Sequence, residues 1–212
     1  MIKKRLTVIL LAFALLVFFF MPRAALADNI ELEELMELVP ATSNERESYE
    51  EYPADWDFVL IDTRSQEDYQ EAHINGAINI PADQIAPCPL PEDMETKLIL
   101  YGEQAAEAGI MAEAFGFTNV YLFEAGIDAW REAGNYLTTT PEYVYSLIDG
   151  DCVGGEETVP FRIIDTRGFG MYYESHLPTA VNMEHTIFES KYLDYMSRGE
   201  DMLFITYCGG FF

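Results

Sequence analysis

The chain has 212 residues, of which 50% are hydrophobic and 14% aromatic. This composition is typical of a globular protein rather than a disordered one. Its 12 basic and 37 acidic residues give a formal net charge of −25. Such an acidic surface excludes general binding to nucleic acid and to anionic membrane surfaces, because both require a basic face.

The N-terminal segment has the order of a secretory signal. Lys3, Lys4 and Arg5 precede an apolar run over residues 6–21, and the small-residue stretch Ala-Leu-Ala ends at Ala27. The sequence therefore predicts cleavage after Ala27 and a periplasmic or extracellular protein without stable membrane association. An uncleaved anchor is the alternative, since the apolar run approaches the length of a membrane span. Cleavage would leave eight basic and 37 acidic residues, a net charge of −29.

Short apolar runs alternate with helical patterns after the leader. In chain order the sequence predicts a helix over residues 30–39, a strand over 58–61, a helix over 66–71, strands over 77–80 and 98–101, a helix over 105–115, a strand over 119–123 and a helix over 127–133. Continuously apolar strands separated by helices indicate a parallel sheet covered on both faces. The polar residues 40–57 are expected to form a solvated loop. Residues 138–141 are the expected domain boundary, and Pro141 is expected to begin a helix over 141–148.

One pattern occurs twice. The first copy reads FVLIDTR from Phe58, HINGAIN from His73 and LILYG up to Gly102, and the second reads FRIIDTR, HLPTAVN and LFITYC up to Cys208. In both copies the histidine follows the aspartate by eleven residues and an asparagine follows that histidine by six. Repetition at fixed offsets predicts two copies of one fold. The second copy has Cys208 where the first has Gly102.

These motifs resemble the rhodanese (thiosulfate sulfurtransferase) family, which has an I-D-x-R strand end, a G-H-I-x-G-A-x-N turn and a Y-C active-site loop. The first copy continues with GFTNVYLFEAGIDAW, similar to the closing segment of that family. Ala72 and Ser175 depart from it, since the family has glycine before the histidine. The resemblance implies an α/β fold with two rhodanese-like domains, each a parallel sheet with helices on both faces. Residues 1–27 would be a signal peptide, 28–138 a domain lacking the catalytic cysteine, and 139–212 the N-terminal part of a second, incomplete domain.

The resemblance also implies the chemistry. Cys208 would attack the outer sulfur of thiosulfate, release sulfite, and pass the sulfur as a persulfide to a thiol or to cyanide. Gly209 and Gly210 would supply a loop of backbone amides for the anion, and Arg167 would attract it. No cofactor and no metal is implied. A buried, inert thiol is the alternative for Cys208, and a disulfide between Cys88 and Cys152 would leave Cys208 free to react.

The first copy has no nucleophile but keeps several polar residues of the repeated motif. These residues are therefore interpreted as structural. On this argument each aspartate and its arginine hold the strand end, and each histidine stabilises a turn through a hydrogen bond. The residues of this supporting set are Asp165, His176, Asp62, Arg64 and His73. His185 has no counterpart in the first copy and receives no role.

Two other classes stay open. A non-catalytic binding or regulatory module is one, and a related cysteine-loop enzyme, such as an arsenate reductase or a dual-specificity phosphatase, is the other. The sequence stops at Phe212, four residues after Cys208. We therefore expect the 212-residue chain to be a fragment with little or no sulfurtransferase activity by itself, because the loop after Cys208 is not closed.

Overall fold

The computed structural model describes residues 27–40, 48–49, 51–85, 90–150, 160–188, 190 and 202–209. The strands are β1 (Asp28–Asn29), β2 (Phe58–Asp62), β3 (Ile78–Asn79), β4 (Lys97–Tyr101), β5 (Val120–Phe123), β6 (Phe161–Asp165), β7 (Val181–Asn182) and β8 (Leu203–Tyr207). The helices are α1 (Leu32–Leu38), α2 (Gln66–Glu71), α3 (Ala105–Phe115), α4 (Gly126–Glu132), α5 (Pro141–Asp149) and α6 (Phe169–Glu174). Short 3₁₀ helices follow β3 at Ala82–Gln84 and β7 at His185–Ile187.

The first sheet has five parallel strands in the order β1-β5-β4-β2-β3. Every residue of β2 is buried, because helices cover both faces of the sheet. On one face Val59 and Leu98 lie in a cluster with Ala108 of α3. On the other face Leu60 lies in a cluster that includes Trp130 of α4. The prediction of a parallel sheet covered on both faces is confirmed here.

The second sheet repeats the centre of the first. Its three parallel strands have the order β7-β6-β8, which corresponds to β3-β2-β4. Asp62 lies opposite Tyr101 in the first sheet, and Asp165 lies opposite Tyr207 in the second. The residues that follow these tyrosines, Gly102 and Cys208, therefore occupy equivalent positions, as the repeated motif predicts.

The described core of the second sheet is small. Val144 and Leu147 of α5 form one buried cluster with Ile163 of β6 and Ile205 of β8. The helix α6 contains no buried residue. Fewer apolar contacts therefore stabilise the second sheet than the first, in the part of the chain that the structure describes.

The predicted first helix is wrong at its start. The prediction placed the helix over residues 30–39, whereas Asp28 and Asn29 form β1 beside β5 and α1 begins only at Leu32. The backbone N–H of Ile30 donates to the carbonyl of Leu122 at 3.0 Å, which continues the pairing. A strand of two residues has no periodic pattern, so the sequence did not reveal it.

In the described part of residues 40–57, Glu51, Asp55 and Asp57 are exposed, as expected for a solvated loop, but the aromatic residues are partly buried. Pro53 is buried, and Trp56 stacks on Phe58 with ring centroids 4.5 Å apart. The hydroxyl of Tyr49 donates to the carbonyl of Thr139 at 3.2 Å. The aromatic residues of this acidic segment pack on the first sheet, because covering apolar surface outweighs the polar character of their neighbours.

The segment between the two sheets is attached to α2. Thr138 and His73 exchange two backbone hydrogen bonds of 2.8 Å. The side chain of Thr139 and the backbone N–H of Thr140 both donate to the carbonyl of Gln70 at 3.0 Å. Thr140 also caps α5, which begins at Pro141 as predicted.

Several predictions fall on residues outside the described ranges. Residues 1–26 of the leader, both cysteines of the predicted disulfide and Gly210 are among them. Within the described ranges, no helix has the length and apolar character needed to cross a membrane. The boundaries 28–138 and 139–212 stay predictions.

The turn before β7 contains a strained threonine. Gly76 has a φ of 80°, and Thr179 at the equivalent position of the second copy has a φ of 66°. A β-branched residue in this region is disfavoured, whereas glycine adopts it freely. We expect Thr179→Gly to raise the free energy of unfolding of the second sheet by about 1 kcal/mol, measured by urea denaturation. Thr206→Gly, in the exposed part of β8, should instead lower it.

Candidate active site

A buried ion pair lies at the carboxyl end of β6. The Nε atom of Arg167 donates to Oδ1 of Asp165 at 3.0 Å, and Nη2 donates to Oδ2 at 2.7 Å. Nη2 also donates to the carbonyl of Ser175 at 2.7 Å. The Asp165 side chain has no solvent exposure and that of Arg167 has 11%. The pair therefore fixes the end of β6 to the end of α6.

The first sheet has the same arrangement. Nε and Nη2 of Arg64 donate to Asp62 at 3.0 and 2.6 Å, and Nη2 donates to the carbonyl of Ala72 at 2.6 Å. Gly102, which has no side chain that can react, follows the neighbouring strand. The recurrence of the ion pair without a nucleophile supports the structural role predicted for both pairs.

A tyrosine completes each network. The hydroxyl of Tyr207 donates to Oδ2 of Asp165 at 2.6 Å and accepts from the backbone N–H of Leu177 at 3.1 Å. The hydroxyl of Tyr101 accepts from the backbone N–H of Ile74 at the same distance. No role was predicted for these tyrosines, although the recurrence of a tyrosine at the end of the last strand motif in both copies was a signal for one. Tyr207, the residue directly before Cys208, is thus hydrogen-bonded to the ion pair.

The network sets the protonation of its members. Burial acts to raise the pKa of Asp165, but hydrogen bonds from Arg167 and Tyr207 outweigh burial, so this pKa lies below its ordinary value. The hydrogen bond from Arg167 to Asp165 raises the pKa of the guanidinium, which stays charged. Burial, together with the bond to Asp165, raises the pKa of Tyr207. The pair is therefore ionised and the tyrosine neutral near pH 7.

This ionisation predicts a dependence of stability on pH. Because the folded-state pKa of Asp165 is lowered, the stabilisation is present above the unfolded-state value of about 4 and is lost as pH falls through the folded-state pKa. We expect the destabilisation caused by Asp165→Asn to shrink as the pH is lowered from about 5 to about 3. Thermal melts of both proteins across this range measure the difference. A difference that stayed constant would contradict a coupled, ionised Asp165.

The two repeated histidines make the same local contacts. Nδ1 of His73 donates to the carbonyl of Tyr69 at 2.8 Å, and Nδ1 of His176 donates to the carbonyl of Tyr172 at 2.9 Å. Each imidazole stacks on the ring of that tyrosine, with centroids 3.9 and 4.0 Å apart. These contacts support the turn-stabilising role predicted for both histidines.

Two further polar residues tie the strand ends together. Nδ2 of Asn182 donates to the carbonyls of Asp165 and Arg167 at 3.1 and 2.8 Å. The hydroxyl of Thr166 donates to the carbonyl of Tyr207 at 2.8 Å. The equivalent residues of the first copy, Asn79 and Thr63, make the same bonds. Both lie within the repeated motifs, so their recurrence was the signal that could have identified them.

Cys208 lies exposed directly after β8. Gly209 follows it, and a side chain added there would meet the terminal methyl of Met171 at 3.8 Å. Gly210 lies outside the described residues, so the amide loop predicted for an anion is only partly described. The guanidinium of Arg167 is already paired with Asp165, and its predicted contact with substrate stays a prediction.

The position of Gly102 differs from that of Cys208 in its backbone. Gly102 has a φ of 112°, in the left-handed region. Cys208 does not have a positive φ, since Thr179 is the only non-glycine residue with one among the described residues. A Cβ atom at Gly102 would lie 2.8 Å from Oγ1 of Thr63 and 2.9 Å from Cγ of Arg64. At this position the first copy has no cysteine, and it also has no space for one.

Within the described part of the chain, no group of three histidine, cysteine, aspartate or glutamate side chains has the geometry of a metal site. The chemistry that the described residues offer is that of a thiol at the carboxyl end of a parallel sheet, beside a rigid and ionised network.

The first copy is similar to known proteins. Residues 45–133 match the model of the Rhodanese-like domain family. The thiosulfate sulfurtransferase GlpE of Pseudomonas fluorescens (strain SBW25) is 29% identical over 76 residues, which cover 34% of this chain and 70% of that protein. The tRNA uridine(34) hydroxylase of Hamiltonella defensa subsp. Acyrthosiphon pisum (strain 5AT) is 34% identical over 82 residues, which cover 34% of this chain and only 23% of that protein.

Solved structures give weaker similarities. The rhodanese-like domain of the Alr3790 protein from Anabaena sp. is 24% identical, with a TM-score of 0.37 and coverage of 42% of this chain and 70% of that one. A persulfide form of EanB with ergothioneine is 20% identical, with a TM-score of 0.42 and coverage of 74% of this chain and 41% of that one.

Proposed function

We propose that this protein is an exported sulfurtransferase with two rhodanese-like domains, in which only the second is catalytic. In the first half-reaction the Cys208 thiolate attacks the outer sulfur of thiosulfate. The sulfur–sulfur bond of thiosulfate breaks, sulfite leaves with the bonding electrons, and Cys208 carries a persulfide. In the second half-reaction the persulfide transfers its outer sulfur to a thiol or to cyanide.

One observation carries this proposal. The second sheet repeats the strand order, the register and the polar network of the rhodanese-like domain, and it has an exposed cysteine where that domain has Gly102. The similarity of the first copy to a thiosulfate sulfurtransferase supports the reaction class. The similarity to a tRNA hydroxylase is not extended to its substrate, because a chain with a net charge of −25 repels nucleic acid.

The proposal includes export because the N-terminal segment has the order of a cleavable secretory signal. Cleavage after Ala27 would leave Asp28 as the first residue, and β1 begins at Asp28. N-terminal sequencing of the secreted protein should give Asp28 as its first residue. Retention of residues 1–27 on a membrane-bound protein would select the anchor instead.

The experiment that tests the catalytic assignment measures sulfur transfer from thiosulfate to cyanide by the full-length gene product. Cys208→Ser should abolish the activity, because serine cannot carry sulfane sulfur. Gly102→Cys in the Cys208→Ser protein should not restore it, since Thr63 and Arg64 occupy the space of the added side chain. Activity that survives Cys208→Ser would contradict the proposal.

A binding module is the second candidate, favoured by the surface of α6. Phe169, Met171 and Tyr173 are exposed by 64%, 52% and 79%. The equivalent positions of α2 hold glutamine, aspartate and glutamine. Phe169 and Tyr173 lie one turn apart on the same face of α6, with ring centroids 6.2 Å apart. Exposed apolar residues in place of polar ones are typical of a contact surface. Physiological function that persists in a Cys208→Ala strain would select this candidate.

A further inference from the structure

The carboxyl edges of the two sheets differ in charge. Four positions that the repeated motifs align are acidic in the first copy and uncharged in the second, and they pair Glu67 with Gly170, Asp68 with Met171, Asp83 with Thr186 and Glu103 with Gly209. One exchange goes the other way, since Glu184 stands where the first copy has Pro81. At these five positions the first copy therefore has four carboxylates and the second copy has one.

The acidic positions face solvent in the first copy, where a helix follows Gly102. Asp83 is exposed although α3 contacts the 3₁₀ helix that contains it. The other three acidic residues are exposed as well, and so are all four of their uncharged counterparts. Charge at these positions therefore acts on solvent and solutes at the edge of the sheet, with the following helix in place.

The uncharged positions surround Cys208. A Cβ atom added to Gly209, the residue directly after Cys208, would lie 3.8 Å from the terminal methyl of Met171. Thr186 lies in the 3₁₀ helix that follows β7. Because β6, β7 and β8 are parallel, the residues that follow them meet at the edge where Cys208 lies. A carboxylate at position 171 or 186 would therefore repel an anion that approaches the cysteine.

The uncharged first turn of α6 is not what helix stability favours. Carboxylates are favourable in the first turn because they face the positive end of the helix dipole. In α2 that turn contains Glu67 and Asp68. In α6 the equivalent residues are Gly170 and Met171, and no residue of the first turn is acidic. The second copy thus lacks a stabilising feature of the first copy beside its cysteine.

We propose that the uncharged residues Gly170, Met171 and Thr186 are specificity determinants that admit an anionic sulfur donor to Cys208. This inference rests on the proposed persulfide at Cys208. Thiosulfate is a dianion, and a protein with a net charge of −25 repels it. Salt screens the distant charges, so the carboxylates nearest the cysteine have the largest effect on the donor. The second copy has no carboxylate at these three positions.

Coulomb's law gives the size of the effect. At low ionic strength, one carboxylate about 10 Å from the reacting sulfur should slow the reaction of a dianion about fourfold and that of a monoanion about twofold. An uncharged reagent should not be slowed. At physiological salt, where the screening length is about 8 Å, the effect on a dianion should fall below about twofold.

The test measures the rate constant for loading Cys208 in the full-length gene product with thiosulfate, a dianion, or methanethiosulfonate, a monoanion. In both reactions the Cys208 thiolate takes the outer sulfur, and sulfite or methanesulfinate leaves with the bonding electrons. At low ionic strength, Met171→Asp and Thr186→Asp should each slow thiosulfate about fourfold and methanethiosulfonate about twofold, and added salt should reduce both effects.

Two controls separate charge from size and from position. Met171→Asn has nearly the size of Met171→Asp without its charge, and it should leave the ratio of the two loading rates unchanged. Gln66→Glu adds a carboxylate at an exposed position of α2 in the first copy, and it should change neither rate. Equal slowing of both donors by Met171→Asp, or the same change of ratio in Met171→Asn, would overturn the inference.

A second reaction distinguishes failure of this inference from failure of the proposed function, because it needs no persulfide. Cys208 is treated with dithiobis(nitrobenzoate), a dianionic disulfide, and with dithiodipyridine, an uncharged one, and the part of each reaction that Cys208→Ser removes is measured. Met171→Asp should slow only the dianionic reagent. This result without any loading by thiosulfate would reject the sulfurtransferase and leave an anion-selective thiol. If Met171→Asp slows neither reagent, or both equally, the charge selection is rejected, whether or not Cys208 is loaded.

Discussion

Replacing Asp62 by asparagine is expected to lower the free energy of unfolding of the first sheet by about 3–5 kcal/mol. Asp62 has no solvent exposure, and Arg64 donates to both of its carboxylate oxygens. The asparagine removes the negative charge and leaves the guanidinium, whose side chain is 17% exposed, without a counter-ion. Urea denaturation followed by circular dichroism measures the loss.

The chain offers a matched control for this prediction. Asp128 and Arg131 form an ion pair of 3.2 Å on the surface, with side-chain exposures of 79% and 56%. Asp128→Asn should change the free energy of unfolding by less than about 1 kcal/mol, because solvent screens an exposed pair. Similar losses for Asp62→Asn and Asp128→Asn would contradict a structural role of the buried pair.

Replacing Gly76 by alanine is expected to lower the free energy of unfolding of the first sheet by about 3 kcal/mol. Two effects combine at this position. The φ of 80° is unfavourable for alanine. The added methyl group would also overlap the ring of Trp56, whose Cζ3 atom lies 2.7 Å from the position of the new carbon. Trp56 cannot move away freely because it stacks on Phe58.

A second glycine separates the two effects. Gly134 has a φ of 85°, and a side chain added there meets no atom within 4 Å. Gly134→Ala should therefore show only the backbone term, about 1 kcal/mol. Combining Gly76→Ala with Trp56→Ala should remove the overlap, so that alanine at position 76 then costs about as much as it does at position 134. A loss at Gly76 no larger than that at Gly134 would contradict the contact with Trp56.

The repeated motifs predicted the parts of the fold that lie in the centre of both sheets. The strand ends at Asp62 and Asp165 and the turns that follow His73 and His176 were identified because the same side chains recur at the same offsets. The helices α2 and α3 were predicted with their observed bounds, since each lies between clear strand patterns. The recurring motif also predicted that Gly102 and Cys208 occupy equivalent positions, each directly after a tyrosine that ends a strand.

Other features depend on contacts between distant residues, and the sequence did not reveal them. The strand β1 exists because two residues pair with β5, more than ninety positions away. The segment that contains Tyr49 and Trp56 has a polar composition, yet these two aromatic rings pack against the core of the first sheet.

The central claim is that Cys208 carries sulfane sulfur. Its most direct test is to treat the full-length gene product with thiosulfate, remove the excess reagent, and locate added sulfur by peptide mass spectrometry. The account predicts a mass gain of one sulfur atom on the peptide that contains Cys208, reversed by cyanide and absent in Cys208→Ser. An unmodified Cys208 after saturating thiosulfate, or sulfur found only on Cys88 or Cys152, would contradict it.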